Sequence, residues 1–147
     1  MKHLFVLMAL VIIVTTGCSS GGEPAAVTPV EFTLTATDVA YDISQIEVTA
    51  GQPVKVIFNN QGTLVHDFSI TEIPHSGEVV AVATETADMA AHEAEMGHME
   101  EPDVHVAVGP GASGSVTFTP TTAGEYEYHC TVAGHLEAGM AGTLIVK

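Results

Sequence analysis

Positive charge is the scarcest property of this sequence. Its 147 residues include no Arg, and Lys and Arg together number 3 against 18 Asp and Glu, which gives a formal net charge of −15. A nucleic-acid-binding surface needs clustered Lys and Arg, so nucleic acid is excluded as a partner. Two Cys are also too few for the disulfide framework of a small secreted scaffold.

Long apolar runs are missing as well, although 46% of the residues are hydrophobic. The apolar run Leu4–Val14 has eleven residues, whereas a membrane-spanning helix needs about 20. The hydrophobic content argues against disorder. The length suits one domain with a modest core.

The N-terminus has the features of an export signal. Lys2 precedes the apolar run, and Thr15–Cys18 follows it. This segment resembles the lipobox of bacterial and archaeal lipoproteins, although Thr15 stands where that motif usually has Leu or another larger aliphatic residue. We therefore predict a signal peptide over 1–17 and a lipidated Cys18, with ordinary cleavage that leaves a free Cys18 as the alternative.

Residues 18–30 are rich in Gly, Ser, Pro and Ala and have no periodicity, which predicts a flexible tether. The protein is then expected to be exported and anchored by lipidated Cys18 to the outer face of the cytoplasmic membrane, in the periplasm or at the cell surface. Cys130 would be the one thiol of the folded domain.

Most of the sequence from residue 31 to 147 alternates between apolar and polar residues. Short runs of this kind are separated by Gly, Pro and Asn turns, which predicts an all-β sandwich. One such face is formed by Leu64, His66, Phe68 and Ile70. The stretch 84–97 is instead rich in Ala and Glu and ends at Gly97, so it predicts a short helical insert.

The segment from Cys130 to Met140 combines soft and borderline metal ligands. Cys130, His135 and Met140 are spaced Cys-x4-His-x4-Met, a donor set that suits copper in both oxidation states. A trigonal site needs a second His from a distant strand, and His66 lies on an apolar strand where an unpartnered imidazole would be costly to bury. We predict His66, Cys130 and His135 as equatorial ligands and Met140 as the weak axial ligand.

With these residues in place, the sequence resembles the cupredoxin (type 1 blue copper) family over about 31–147, and its auracyanin- and rusticyanin-like members in loop length. Asn59–Phe68 looks like the first-His segment of that family and Gly124–Cys130 like its Cys strand. The resemblance implies a Greek-key β-sandwich with one type 1 copper per chain. Asp67 departs from the usual Asn after the first His, and Ala133 from the frequent Pro of the ligand loop.

The resemblance implies a membrane-tethered carrier of single electrons between redox proteins such as a cytochrome or an oxidase. Electrons are expected to leave through the edge of His135, which has small and apolar loop neighbours and one charged neighbour, Glu137. No open coordination position is left, so we expect neither a small-molecule substrate nor enzymatic activity.

The alternative function is copper handling, as a carrier or sensor. The helical insert supports it, because a second metal could be bound there by Met89, His92, Met96, His98 and Met99. The favoured interpretation of this Met stripe is nevertheless packing on the sandwich.

Strand alternation also assigns the residues beside the ligands. It turns His129 away from the copper and His105 toward the surface. It also turns Asp67 off the His66 face, which leaves open whether its carboxylate acts on the copper or is solvated.

Overall fold

The computed structural model describes residues 27–96 and 101–147. In these ranges the chain forms ten strands and one helix. The elements are β1 Val30–Thr37, β2 Ala40–Tyr41, β3 Gln45–Val48, β4 Val54–Asn60, β5 His66–Ile70, β6 Val80–Ala83, α1 Ala87–Met96, β7 Val104–Val108, β8 Ser113–Phe118, β9 Gly124–His129 and β10 Ala141–Val146.

The strands form two five-stranded sheets. One has the order β2-β1-β4-β8-β6 and the other the order β3-β10-β9-β5-β7. The pairs β1–β4 and β3–β10 are parallel, and the remaining pairs are antiparallel. The predicted all-β sandwich is confirmed.

The core lies between the two sheets and follows the period-two pattern of the sequence. In β4, Val54, Val56 and Phe58 are buried, while the alternating residues Lys55 and Ile57 are partly exposed. Burying side chains of this size contributes about 1.5–3 kcal/mol each. The core therefore fixes the strands that carry the ligand segments.

Strand β5 departs from this alternation, because all five of its residues are buried. One face lies against the sandwich core, and on the other face Asp67 is covered by His92 of helix α1 and by His105 of β7. The prediction that Leu64 shares the buried face is wrong. Leu64 precedes the strand and is 54% exposed, since the chain bends over residues 62–64 before pairing begins.

The helical insert predicted over 84–97 is found at Ala87–Met96. Met89 is buried and packs with Val65 and Ala107, so the packing interpretation is confirmed for this Met. Gly97, His98 and Met99 lie outside the described residues, and so do the predicted signal peptide, Cys18 and the first part of the tether. The one helix among the described residues is neither long enough nor apolar enough to cross a membrane.

Candidate metal centre

The four predicted ligands lie at one end of the sandwich. His66 begins β5, Cys130 follows β9, and His135 and Met140 lie on the loop that leads into β10. This end brings together segments that are 64 positions apart in the sequence.

The ligand loop is shaped by its own backbone hydrogen bonds. The Met140 amide donates to the His135 carbonyl at 2.9 Å, and the Cys130 amide donates to the Met140 carbonyl at 3.1 Å. Gly139, with φ of 94°, supplies the left-handed turn that precedes Met140. The loop thus places Met140 directly against the segment that carries Cys130.

Two imidazoles and one thiol converge at this end. Cys130 Sγ lies 3.4 Å from His135 Nδ1 and 3.9 Å from His66 Nδ1, and the three potential ligand atoms lie within 4.8 Å of one another. His66, Cys130 and Met140 are fully buried and His135 is 6% exposed. Two ring nitrogens and a sulfur thus face a common, dry point.

The protonation states of His66 and Cys130 affect metal binding in opposite ways. Burial and, next, the Asp67 charge raise the pKa of Cys130 to about 12. Burial and the neighbouring His135 lower the pKa of His66, so its imidazole is neutral at pH 7. A neutral imidazole can ligate directly, while the thiol must lose its proton to do so. The chemistry of this donor set fits copper, held by His66, Cys130, His135 and Met140.

Asp67 is fully buried, so the solvated interpretation of its carboxylate is wrong. Oδ1 accepts a hydrogen bond from the Thr131 amide at 2.7 Å, and Oδ2 accepts one from the Thr131 hydroxyl. His92 Nε2 lies 2.9 Å and His105 Nε2 3.3 Å from Oδ2. Burial alone would raise the pKa of Asp67, but the hydrogen bonds from His105, His92 and Thr131 outweigh it and lower the pKa below its ordinary range.

The sequence predicts that His105 lies at the surface, but the structure shows it partly buried and in contact with another side chain. Its side chain is 25% exposed and contacts Asp67, because the outer face of this sheet is covered by α1. Neither Thr131 nor the contact between His92 and Asp67 is predicted from the sequence. The available signal was an acidic residue inside an apolar strand, which requires polar partners if it is buried.

The prediction that His129 turns away from the copper agrees with the structure. His129 lies outside the group of converging ligand atoms, with its side chain 3.8 Å from Glu127. Tyr128 is fully buried in the core, and its hydroxyl donates to the Ile43 carbonyl.

A two-sheet β-sandwich with a buried His-Cys-His-Met donor set at one end defines a cupredoxin with a type 1 copper site. The chain belongs to the plastocyanin/azurin family of copper binding proteins, whose sequence model matches residues 28–147. Copper is therefore its cofactor.

Relatives of two kinds are similar to this chain. The copper-resistant cuproprotein CopI of Pseudomonas aeruginosa is 31% identical over 130 residues, an alignment that covers 75% of this chain and 72% of CopI. Auracyanin-A of Chloroflexus aurantiacus is 32% identical over 133 residues, which cover 87% of this chain and 78% of the auracyanin.

The solved structures of auracyanins share the fold. The dithionite-reduced auracyanin of Roseiflexus castenholzii superposes with a TM-score of 0.56 at 26% identity, over 80% of this chain and 96% of that chain. Auracyanin B superposes with a TM-score of 0.58 at 26% identity, over 82% of this chain and 91% of that chain.

Proposed function

We propose that this cupredoxin carries single electrons between redox proteins while tethered to the outer face of the cytoplasmic membrane. The observation that carries the proposal is the burial of all four ligands, which are between 0% and 6% exposed. Bound copper would supply a centre that accepts and releases one electron. The packed sandwich holds the ligand side chains in place and excludes water, so few atoms need to move when the charge changes.

The same burial supports a carrier rather than an enzyme. His66, Cys130, His135 and Met140 would supply a complete ligand set, which leaves no position for a small-molecule substrate. The protein would then act only through docking to other redox proteins.

The surface around His135 suits brief docking. Leu136, which directly follows His135 on the ligand loop, is 41% exposed, which places an apolar side chain beside the expected exit path for electrons. The net charge of −15 favours a basic partner, such as a basic cytochrome or the basic face of an oxidase, because opposite charge accelerates encounter.

Electron transfer to a basic cytochrome c tests this role. Potentiometric titration of the copper-loaded protein should follow a one-electron curve, and transfer should be fast and should slow with added salt. Leu136→Asp should slow transfer more than Val82→Asp, a matched control on the 63%-exposed Val82 of strand β6. Equal slowing by both variants would contradict the proposal that the partner docks on the ligand loop.

Copper handling is the second candidate function, and the similarity to CopI, a copper-resistant cuproprotein, favours it. The number of copper ions bound per chain distinguishes the two functions. An electron carrier keeps one copper ion through repeated reduction and oxidation, whereas a handling protein takes up a second ion or releases the first. Met89 is 4% exposed and packed against the sandwich, so it could join a metal site on the insert only after α1 moves.

The membrane tether rests on the sequence features around Cys18. Cys18→Ala should release the protein from the membrane fraction and leave the copper spectrum unchanged. Retention of the variant in membranes would contradict lipidation at Cys18.

A further inference from the structure

A second group of metal-ligating side chains lies beside the copper-binding residues. Asp67 from β5, His92 from α1 and His105 from β7 place three potential ligand atoms within 4.8 Å of one another. Asp67 and His92 are buried and His105 is partly exposed. The group thus joins three elements of the fold at one internal point.

We propose that Asp67, His92 and His105 form a second metal site, which takes a divalent ion of the Zn²⁺ type. Two imidazoles and one carboxylate are ligands that such borderline ions prefer. This ligand set shares only His92 with the Met and His residues that the sequence pattern of the insert suggested.

The crowding at one oxygen of Asp67 supports the proposal. The Thr131 hydroxyl, His92 Nε2 and His105 Nε2 all approach Oδ2, while Oδ1 accepts a hydrogen bond from the Thr131 amide. Three donors at one carboxylate oxygen exceed its two lone pairs. If a cation lay between this oxygen and the two imidazoles, each Nε2 would present a lone pair to the cation and would no longer donate an N–H group to the oxygen.

The separations also fit ligands of one ion. His92 Nε2 and His105 Nε2 lie 2.9 and 3.3 Å from Asp67 Oδ2. Ligand bonds of about 2.0–2.1 Å in a tetrahedral arrangement place neighbouring ligand atoms about 3.3 Å apart. Small rotations of the rings would therefore be enough to admit an ion.

The site is distinct from the copper site and is accessible. Neighbouring residues of a strand point to opposite faces, so Asp67 faces α1 while His66 faces the copper ligands. A cleft of about 210 Å³ adjoins His105 and is lined also by Glu85 and Met89. A second cleft, of about 320 Å³, adjoins His92. An ion can thus approach without passing the copper.

Zinc uptake by the copper-loaded full chain tests the proposal. The protein is dialysed against Zn²⁺, and zinc and copper per chain are measured together. The wild-type protein should retain one zinc per chain more than His105→Gln does, with copper equal in both. His75→Gln is the matched control, because His75 is exposed and lies outside both groups of potential metal ligands, with its Nδ1 3.0 Å from the Ile73 carbonyl; it should retain as much zinc as the wild type.

Equal zinc in the wild type and in His105→Gln would overturn the proposal. The absorption of the copper site reports whether the variant has folded. Zinc-edge X-ray absorption on the wild-type protein provides a measurement without any substitution: it should show imidazole and oxygen ligands and no sulfur. Absence of imidazole scattering would overturn the proposal even if zinc is retained.

Discussion

Asp67 binds Thr131 twice, through a hydrogen bond from its backbone amide and a second from its hydroxyl. Asp67 directly follows His66, and Thr131 directly follows Cys130. One buried carboxylate therefore ties together the segments of His66 and Cys130, two copper ligands that are 64 positions apart, and it places a negative charge beside the metal centre.

Removing the negative charge of Asp67 should raise the reduction potential of the copper site. A buried, ionised Asp67 favours Cu(II) over Cu(I), because the oxidised site carries one more positive charge. Asp67→Asn should therefore have the higher potential in voltammetry, measured with a chelator present to keep other metals away. Since the pKa of Asp67 is lowered, the difference should persist below the ordinary aspartate pKa of about 3.9. An unchanged or lower potential would contradict this charge effect.

Acid should destabilise the metal-free protein partly through the same group. Asp67 has a lower pKa in the folded state than in the unfolded chain, so its contribution to stability is present above the unfolded pKa of about 3.9 and is lost as the pH falls through the folded value. Urea unfolding at pH 7 and pH 3 should show a smaller loss in Asp67→Asn than in the wild type. Asp42→Asn, at an exposed position, should behave as the wild type does.

Cys130→Ser should abolish the intense visible absorption of the copper-loaded protein. That absorption requires charge transfer from a thiolate, and a hydroxyl is a poor substitute for this ligand. Circular dichroism should show the β-sandwich retained, since the substitution is nearly isosteric. A variant that keeps the intense colour would show that Cys130 is not the ligand that gives rise to the absorption.

Met140→Gln should keep copper but lower its reduction potential. An amide oxygen is a harder donor than a thioether and favours Cu(II), and the axial ligand tunes potential more than affinity. Elemental analysis and voltammetry of the same preparation measure both quantities. Complete loss of copper would instead identify Met140 as a primary ligand or as essential to the fold.

Tyr41→Phe should destabilise the protein by about 1–3 kcal/mol, because it leaves the Asp67 carbonyl without the hydrogen bond that the Tyr41 hydroxyl donates at 2.5 Å. Tyr126→Phe is the matched control, since its hydroxyl donates to the Thr122 carbonyl in an exposed position. Chemical unfolding should show a much smaller loss for the control. Equal losses of stability in the two variants would show that the hydrogen bond to the Asp67 carbonyl contributes no more than the exposed hydrogen bond of Tyr126.

The fold and the copper ligands could be predicted from the sequence because both depend on short-range patterns. Alternation defines strands such as β4, and the spacing of Cys130, His135 and Met140 within one loop is visible without a structure. The environment of Asp67 could not be predicted, because it depends on where α1 packs over β5. Strand β6 has no such alternation, because all four of its residues are apolar and three of them are exposed.

The parallel pairing of β3 with β10 has a consequence for how the chain folds. Gln45 pairs with Thr143, roughly 100 positions away, and proteins dominated by such distant pairings fold in milliseconds to seconds rather than microseconds. The ligand loop lies between β9 and β10, which pair locally, with Ala141 opposite His129, so the shape of the loop does not depend on the distant pairing. His66 joins Cys130 only where β5 pairs with β9, through Ser69 and His129, so the complete ligand set requires the non-local part of the fold.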